Sequence, residues 1–224
     1  MRSAMARRGL LALTFVLAPF GASAETPQAA YITLGTNSGP IPNPERAEPA
    51  SLLQYGDQNI LVDAGDGASW QLAKAGVDVS KVQTVIISHL HFDHTSGLYA
   101  FLSLRYQALV TDPVTIYGPP GMKRVVDALI AGMAPNDETP SGLWSWMRTA
   151  PEKIYKVIEI GDGAKFAVGA VNVTAAENSH YSFEPGSENA KKYVSLSYRF
   201  DMPGRSIVFT GDTVKSENIA RFAK

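Results

Sequence analysis

From Tyr31 onward, short apolar runs are separated by glycine- and proline-rich breaks, and that rhythm predicts alternating strands and helices. Tyr31-Ile32-Thr33-Leu34 reads as a first strand. Gly35-Thr36-Asn37-Ser38-Gly39-Pro40 ends it, and a proline-rich loop runs to Pro49. Ser51 to Tyr55 and Asn59 to Asp63 read as a hairpin turning at Gly56-Asp57. Gly67 to Ala75 predicts a helix ended by Gly76. Val82 to Ser88 is the next strand. Thr95-Ser96-Gly97 then opens a helix to about Leu109, with Leu98, Phe101, Leu102 and Leu109 on one stripe. Thr111-Asp112-Pro113 stops it, Val114 to Tyr117 is a strand, Gly118-Pro119-Pro120-Gly121 a sharp turn, and Met122 to Ala131 a helix.

The second half is richer in strands. Lys156 to Ile160, Lys165 to Val168 and Val171 to Ala176 predict a meander with turns at Gly161-Asp162-Gly163 and Gly169-Ala170. Glu177-Asn178-Ser179-His180 ends a strand, Val194 to Phe200 and Ser206 to Thr210 are two more, and a helix begins near Ser216. Pro135 to Pro151 carries the weakest signal; Trp144 and Trp146 flank a short stretch that reads as a lip over a site or as satellite core. Strands alternating with helices argue for sheet layers covered by helices, an α+β arrangement.

The first residues follow different rules. Arg2, Arg7 and Arg8 make a basic start, Leu10 to Phe20 is an apolar run too short to span a bilayer, and Ala22-Ser23-Ala24 supplies a small-residue cleavage site. Residues 1–24 therefore read as a secretory signal peptide cleaved before Glu25, leaving one domain over 25–224 with no stable membrane anchor. Arg7-Arg8-Gly9-Leu10-Leu11 partly matches a twin-arginine signal, an alternative route. Either route makes the mature protein periplasmic or secreted.

Net charge is −1, with 45% hydrophobic and 18% charged residues, which gives no general attraction to nucleic acid. There is no cysteine, so every thiolate metal site is excluded, and an exported chain must be held by its core and by bound metal.

The chemistry concentrates in Ser88-His89-Leu90-His91-Phe92-Asp93-His94-Thr95, which holds three of the four histidines. On an extended backbone His89 and His91 point to one side. Asp93 and His94 follow where the chain turns, so this spacing can serve two metal ions. Imidazole with carboxylate suits zinc first, with manganese or iron as alternatives. Asp63 ends an apolar strand before Ala64-Gly65 and is read as a residue that orients the histidine loop, against the alternative of a plain turn aspartate.

His-x-His-x-Asp-His at a strand end resembles the signature of the metallo-β-lactamase superfamily. Leu34-Gly35-Thr36, followed by Pro42, Arg46 and Ala50-Ser51-Leu52-Leu53, and the later Gly118-Pro119-Pro120-Gly121 turn are similar to its ribonuclease Z branch. The resemblance implies a four-layer αββα sandwich, here incomplete at the C-terminus. It implies a third imidazole from His180 and a bridging carboxylate from Asp212 in Phe209-Thr210-Gly211-Asp212-Thr213. The first of two zinc ions would then have His89, His91, His180 and Asp212, and the second Asp93, His94 and the shared Asp212. The family pattern also expects one more histidine downstream; the chain has none, which reads as a truncated form of a longer protein or as a short variant with a crippled second site.

Two divalent ions sharing a water lower its pKa towards about 7, giving metal-bound hydroxide at neutral pH. Asp93 would orient that hydroxide or accept its proton. The expected activity is hydrolysis of a small phosphodiester or aryl sulfate; a β-lactam or lactone hydrolase and an impaired metal-binding protein are the alternatives. The long arm for the tRNA body of many ribonuclease Z enzymes has no counterpart, and export also argues against nucleic acid as partner. Tyr181 and Phe183 are read as cleft lining, and a homodimer is compatible with this reading.

Overall fold

The computed structural model describes residues 28–139 and 149–224. The segment 1–24 expected to be a signal peptide, Trp144 and Trp146 lie outside them.

β1 (Ala29–Gly35), β2 (Ala50–Tyr55) and β3 (Gln58–Val62) pair antiparallel; β4 (Thr84–Ile86), β5 (Val114–Gly118) and β6 (Tyr155–Glu159) extend the sheet from β3 in parallel. The result is a six-stranded sheet in the order β1-β2-β3-β4-β5-β6. A second, antiparallel sheet has the order β10-β9-β8-β7, from β7 (Lys165–Val168), β8 (Val171–Glu177), β9 (Leu196–Met202) and β10 (Arg205–Phe209). The helices are α1 (Ala68–Lys74), α2 (Phe92–Thr95), α3 (Leu98–Gln107), α4 (Met122–Ala131), α5 (Ala134–Asp137), α6 (Pro151–Ile154), α7 (Glu188–Lys192) and α8 (Glu217–Phe222).

Alternation along the strands builds two cores. Leu52, Leu61, Val85, Ile87 and Ile116 point from the first sheet towards Leu72, Leu98, Phe101 and Val126 of the helices. Their neighbours Leu53, Ile60, Val62 and Ile86 point the other way, onto Val173, Leu196, Tyr198 and Phe200 of the second sheet. Burying each large apolar side chain contributes roughly 1.5–3 kcal/mol, so both interfaces of the first sheet are strongly held. Both of its faces are therefore covered, which is why β3 and β4 read as continuous apolar runs. On the outward face of β9, the Arg199 guanidinium donates to the Phe222 carbonyl of α8 at 3.2 Å. The layers thus run helices, sheet, sheet, helix.

Three expectations need correction, and helix α7 was missed. Lys156 to Ile160 is not the first strand of a meander: β6 leaves the second sheet and pairs in parallel with β5. Residues Tyr155, Val157 and Ile154 pack in the helix-covered core, so burial, not chain proximity, decides its sheet. The strand expected over Val82–Ser88 is only Thr84–Ile86, and the chain from Ile87 to His91 is irregular rather than extended in a ladder. Leu109 does not continue the α3 stripe; it lies past the helix end with φ 59°, and buried Arg105 and Tyr106 take its place. The helix α7 carries no strong apolar pattern and was not expected; Ser187 caps it by accepting from the Ala190 N–H.

Candidate metal centre

Every candidate ligand lies just beyond the carboxyl end of a strand or in the loop it feeds. Asp63 follows β3, Ser88 to His94 follow β4, His180 follows β8 and Asp212 follows β10. Strand ends of a covered sheet leave side chains and backbone free to converge there.

Asp63 adopts φ 56°, a left-handed conformation that aspartate tolerates better than most residues. This turns its carboxylate across the sheet. One oxygen accepts the Ser88 N–H at 2.7 Å; the other accepts the Ser88 hydroxyl at 2.8 Å and lies 2.6 Å from His94 Nδ1. Ser88 Oγ is also 2.9 Å from His89 Nδ1. The serine proton is already given to Asp63, so His89 Nδ1–H is the donor in that contact. His94 Nδ1–H likewise donates to Asp63. Both rings are thereby turned with Nε2 towards the centre.

His91 Nδ1 lies 3.1 Å from His89 Nε2 and 3.0 Å from His180 Nε2. Ring nitrogens facing one another this closely repel unless a proton or a cation sits among them. Tetrahedral zinc with ligand bonds of 2.0–2.1 Å would set its nitrogens about 3.3 Å apart, close to what is seen. Ligand atoms of His89, His91 and His180 lie within 4.8 Å of one another, and so do those of His89, His94 and Asp212. His94 Nε2 is buried with no hydrogen-bond partner, and Asp212 Oδ1 stands 3.5 Å from it. An orphaned nitrogen facing the Asp93 and Asp212 carboxylates is what a metal ligand looks like without its ion. The donor set fits a borderline cation such as zinc.

His180 sits at a turn in which its own N–H donates to Asn178 Oδ1 at 3.2 Å, while Asn178 Nδ2 donates to the Thr210 carbonyl at 3.0 Å. One buried asparagine thus ties the His180 loop to the strand that carries Asp212. Tyr181 packs edge-on against His89 and His91 and tilted beside His180, and its hydroxyl accepts the Leu90 N–H at 3.2 Å. Phe183 lies against Tyr181, with ring centres 5.2 Å apart.

The electrostatics follow from this crowding. Burial, then the neighbouring His94, His180 and His91, push the His89 pKa down to about 2, so His89 is neutral. Burial also pulls on His94, but the Asp212 and Asp63 carboxylates outweigh it and raise its pKa to about 10. His94 in turn holds Asp212 down at about 2 against the effect of burial. Burial lowers the His180 pKa. In the metal-free protein His94 therefore carries a proton at neutral pH, and loading a metal on its Nε2 releases it.

All six sequence candidates meet in one place, but their grouping differs from the expected one. Asp212 groups with His94 and His89 rather than with the three imidazoles, and His89 belongs to both groups. Asp93 is in neither group; its carboxylate is 3.8 Å from His94 Nε2 and 8% exposed. Ser88 and Asn178 were not singled out. Their signal is positional, a small polar residue directly before each histidine loop.

Comparison with known proteins gives a consistent picture. A family profile described as "Anti-Pycsar protein Apyc1" matches residues 32–224. The chain is 31% identical over 193 residues to ribonuclease Z of Mycobacterium avium, covering 85% of this chain and 65% of the relative. It is 31% identical over 183 residues to ribonuclease Z of Mycobacterium sp. strain KMS, covering 81% of this chain and 60% of that one. The chain thus spans less than two thirds of these relatives. Among solved structures, the metallo-β-lactamase fold protein YhfI of Bacillus subtilis superposes with TM-score 0.63 at 18% identity, covering 89% of this chain and 68% of YhfI. The short form of human tRNase Z superposes with TM-score 0.62 at 21% identity, covering 87% and 73%. The fold is the metallo-β-lactamase fold, as the signature motif implied.

Proposed function

This chain belongs to the family described as anti-Pycsar protein Apyc1, and on that premise we propose that it is a metal-dependent hydrolase of phosphodiester bonds. The observation that carries the reading is the pair of overlapping ligand groups, His89 with His91 and His180, and His89 with His94 and Asp212. His89 Nε2 lies close to the ligand atoms of both groups, which sets two candidate ion positions side by side, and the similarity to ribonuclease Z supplies the substrate class.

His89, His91 and His180 would hold one ion, and His94 and Asp212 the other, with Asp93 beside them. Bound there, two zinc ions would act as Lewis acids and lower the pKa of a water in the site. The chain's own residues do the rest. Asp63 and Ser88 keep the His94 and His89 rings in the tautomer that presents Nε2. Asp93 accepts the proton lost by the attacking water. The water oxygen bonds to phosphorus, the bond to the leaving oxygen breaks, and the departing alkoxide takes up a proton. Tyr181 and Phe183 give the cleft an aromatic wall against which an organic group on the ester can lie.

Aryl sulfates offer the same tetrahedral anionic oxygens and are the alternative substrates. The role against Pycsar that the family description names is carried to this chain as part of the same proposal. Export is supported by the basic start, the Leu10–Phe20 run and Ala22-Ser23-Ala24.

The test uses bis(p-nitrophenyl) phosphate, p-nitrophenyl sulfate and nitrocefin side by side, with zinc-loaded and chelator-stripped protein. Diester turnover is expected, lost on stripping and restored by zinc. His180→Ala and Asp212→Ala are expected to lower it by more than the roughly 10–100-fold that losing a supporting residue costs. Turnover of nitrocefin alone would make the protein a lactam hydrolase; tight metal binding with no turnover would make it a binding protein.

A further inference from the structure

Beside the metal cluster lies a cleft of about 410 Å³ lined by Gly121, Lys123, Arg124, Asp127, Glu159, Lys192 and Tyr193. Leu90 of the metal loop abuts Gly121 at its edge. Leu90 stands between His89 and His91, and its Cδ1 would be 2.9 Å from a Cβ placed on Gly121, whose φ is +99°. Tyr193 Cε1 would be 3.8 Å from the same point. The cleft therefore adjoins the metal loop at Gly121, and a side chain at 121 would clash with Leu90.

The charges in the cleft are not equivalent. Glu159 Oε1 accepts the N–H groups of Gly121 and Lys123 at 2.8 and 2.9 Å, which satisfies the start of α4. Lys123 is paired with Asp127 at 2.6 Å. Arg124 and Lys192 are left. Among the described residues neither is ion-paired with a carboxylate, and both converge on Tyr193. The guanidinium donates to the Tyr193 hydroxyl at 3.4 Å, and the Lys192 ammonium sits 5.1 Å from the ring centre. Arg124 and then Lys192 hold the phenol below its ordinary pKa. Two cations, a flat ring and an open floor beside a phosphodiester-cleaving centre form a recognition point for an anion. A planar guanidinium fork matches phosphate oxygens.

We propose that Arg124, Lys192 and Tyr193 form a second phosphate subsite, so that the preferred substrates carry a further phosphate in addition to the diester under attack. The inference rests on the phosphodiesterase reading of the metal centre and deepens it. A substrate would then be held at two points, with its first phosphate at the histidine cluster and its second across Leu90 in the basic cleft. Holding it twice fixes the diester relative to Asp93.

The test is calorimetric binding to zinc-loaded protein of adenosine 3′,5′-bisphosphate, AMP and adenosine. The bisphosphate is expected to bind about tenfold more tightly than AMP, the gain that contacts to charged groups give. In the double variant Arg124→Ala/Lys192→Ala that advantage should fall to within about twofold while AMP affinity is kept. Added salt should erode the wild-type advantage. Both side chains are exposed, and a matching melting temperature shows that the variant is folded. Equal affinities in the wild type, an advantage that survives the double variant, or no binding of the bisphosphate overturns the proposal. Failure of the underlying phosphodiesterase reading shows separately, as absent bis(p-nitrophenyl) phosphate hydrolysis by the wild type.

Discussion

Asp63 commits both carboxylate oxygens, one to the Ser88 amide and the other to the Ser88 hydroxyl and His94 Nδ1. Among the described residues no other side chain at the centre accepts so many protons, and this one is fully buried. Asp63→Asn is the clean test, since asparagine keeps the shape and tolerates the left-handed backbone. Its amide nitrogen would face a donor, and at least one of the Ser88 and His94 contacts must be lost. Zinc affinity is expected to fall about 10–100-fold with the fold intact, as read by competition with a chromophoric chelator alongside circular dichroism. The candidate ligands were legible as residues because histidine and aspartate are few and the motif packs four of them together. Ser88 was not, because a serine before a histidine is common, and its role appears only when Asp63 lies within 2.8 Å.

At the level of elements, the short α2 is set by backbone seen edge-on. A Cβ on Gly65 would lie 2.2 Å from the Asp93 carbonyl and 2.6 Å from Glu48 Cβ, and one on Gly97 would lie 2.1 Å from the Gly65 carbonyl. The loop after β3 is thus wedged directly under the ligand-bearing turn. Gly65→Ala is expected to destabilise the protein by about 1–3 kcal/mol and to weaken metal binding at the same time, both measurable by thermal unfolding with and without zinc. Gly161→Ala meets open space and is the control, expected within about 0.5 kcal/mol of wild type. Phe101→Ala, at a fully buried position on α3, should cost about 3–5 kcal/mol of unfolding free energy yet leave zinc stoichiometry unchanged in the folded fraction. The helices α1, α3, α4 and α8 and most strands were legible from their breaks, whereas the four- and five-residue helices α2, α5, α6 and α7 were not. The sheet of β6 was not, because a five-residue strand carries no record of its partner.

For the molecule as a whole, the cluster makes stability depend on pH once metal is removed. His89 has a folded pKa of about 2 against 6.5 when exposed, so between these values the unfolded chain binds the extra proton and stability rises with pH. His94 has a folded pKa of about 10 against 6.5, so its contribution is complete below pH 6.5 and is lost as pH rises through about 10. Asp212, depressed from 3.8 to about 2, contributes above pH 3.8 and loses that contribution as pH falls through about 2. The melting temperature of chelator-stripped protein should therefore peak near pH 6.5 and fall on both sides. His94→Asn should remove the alkaline fall, and a flat profile in the wild type would show that the histidine cluster is not coupled to folding.

The amino-acid sequence by itself determined the fold class, the strand-and-helix rhythm and which side chains are candidate metal ligands. These depend on local apolar spacing and on rare residues in a dense motif, and both are properties of neighbours along the chain. Only the tertiary structure decided which candidate ligand atoms stand together, His89 with His91 and His180 and His89 with His94 and Asp212, and that Ser88 and Asn178 hold the loops. It alone set Lys192 and Arg124, 68 positions apart in sequence, against one tyrosine ring beside the site. Those relations are distances between strand ends that close only when both sheets pack, and no local pattern in the chain encodes them.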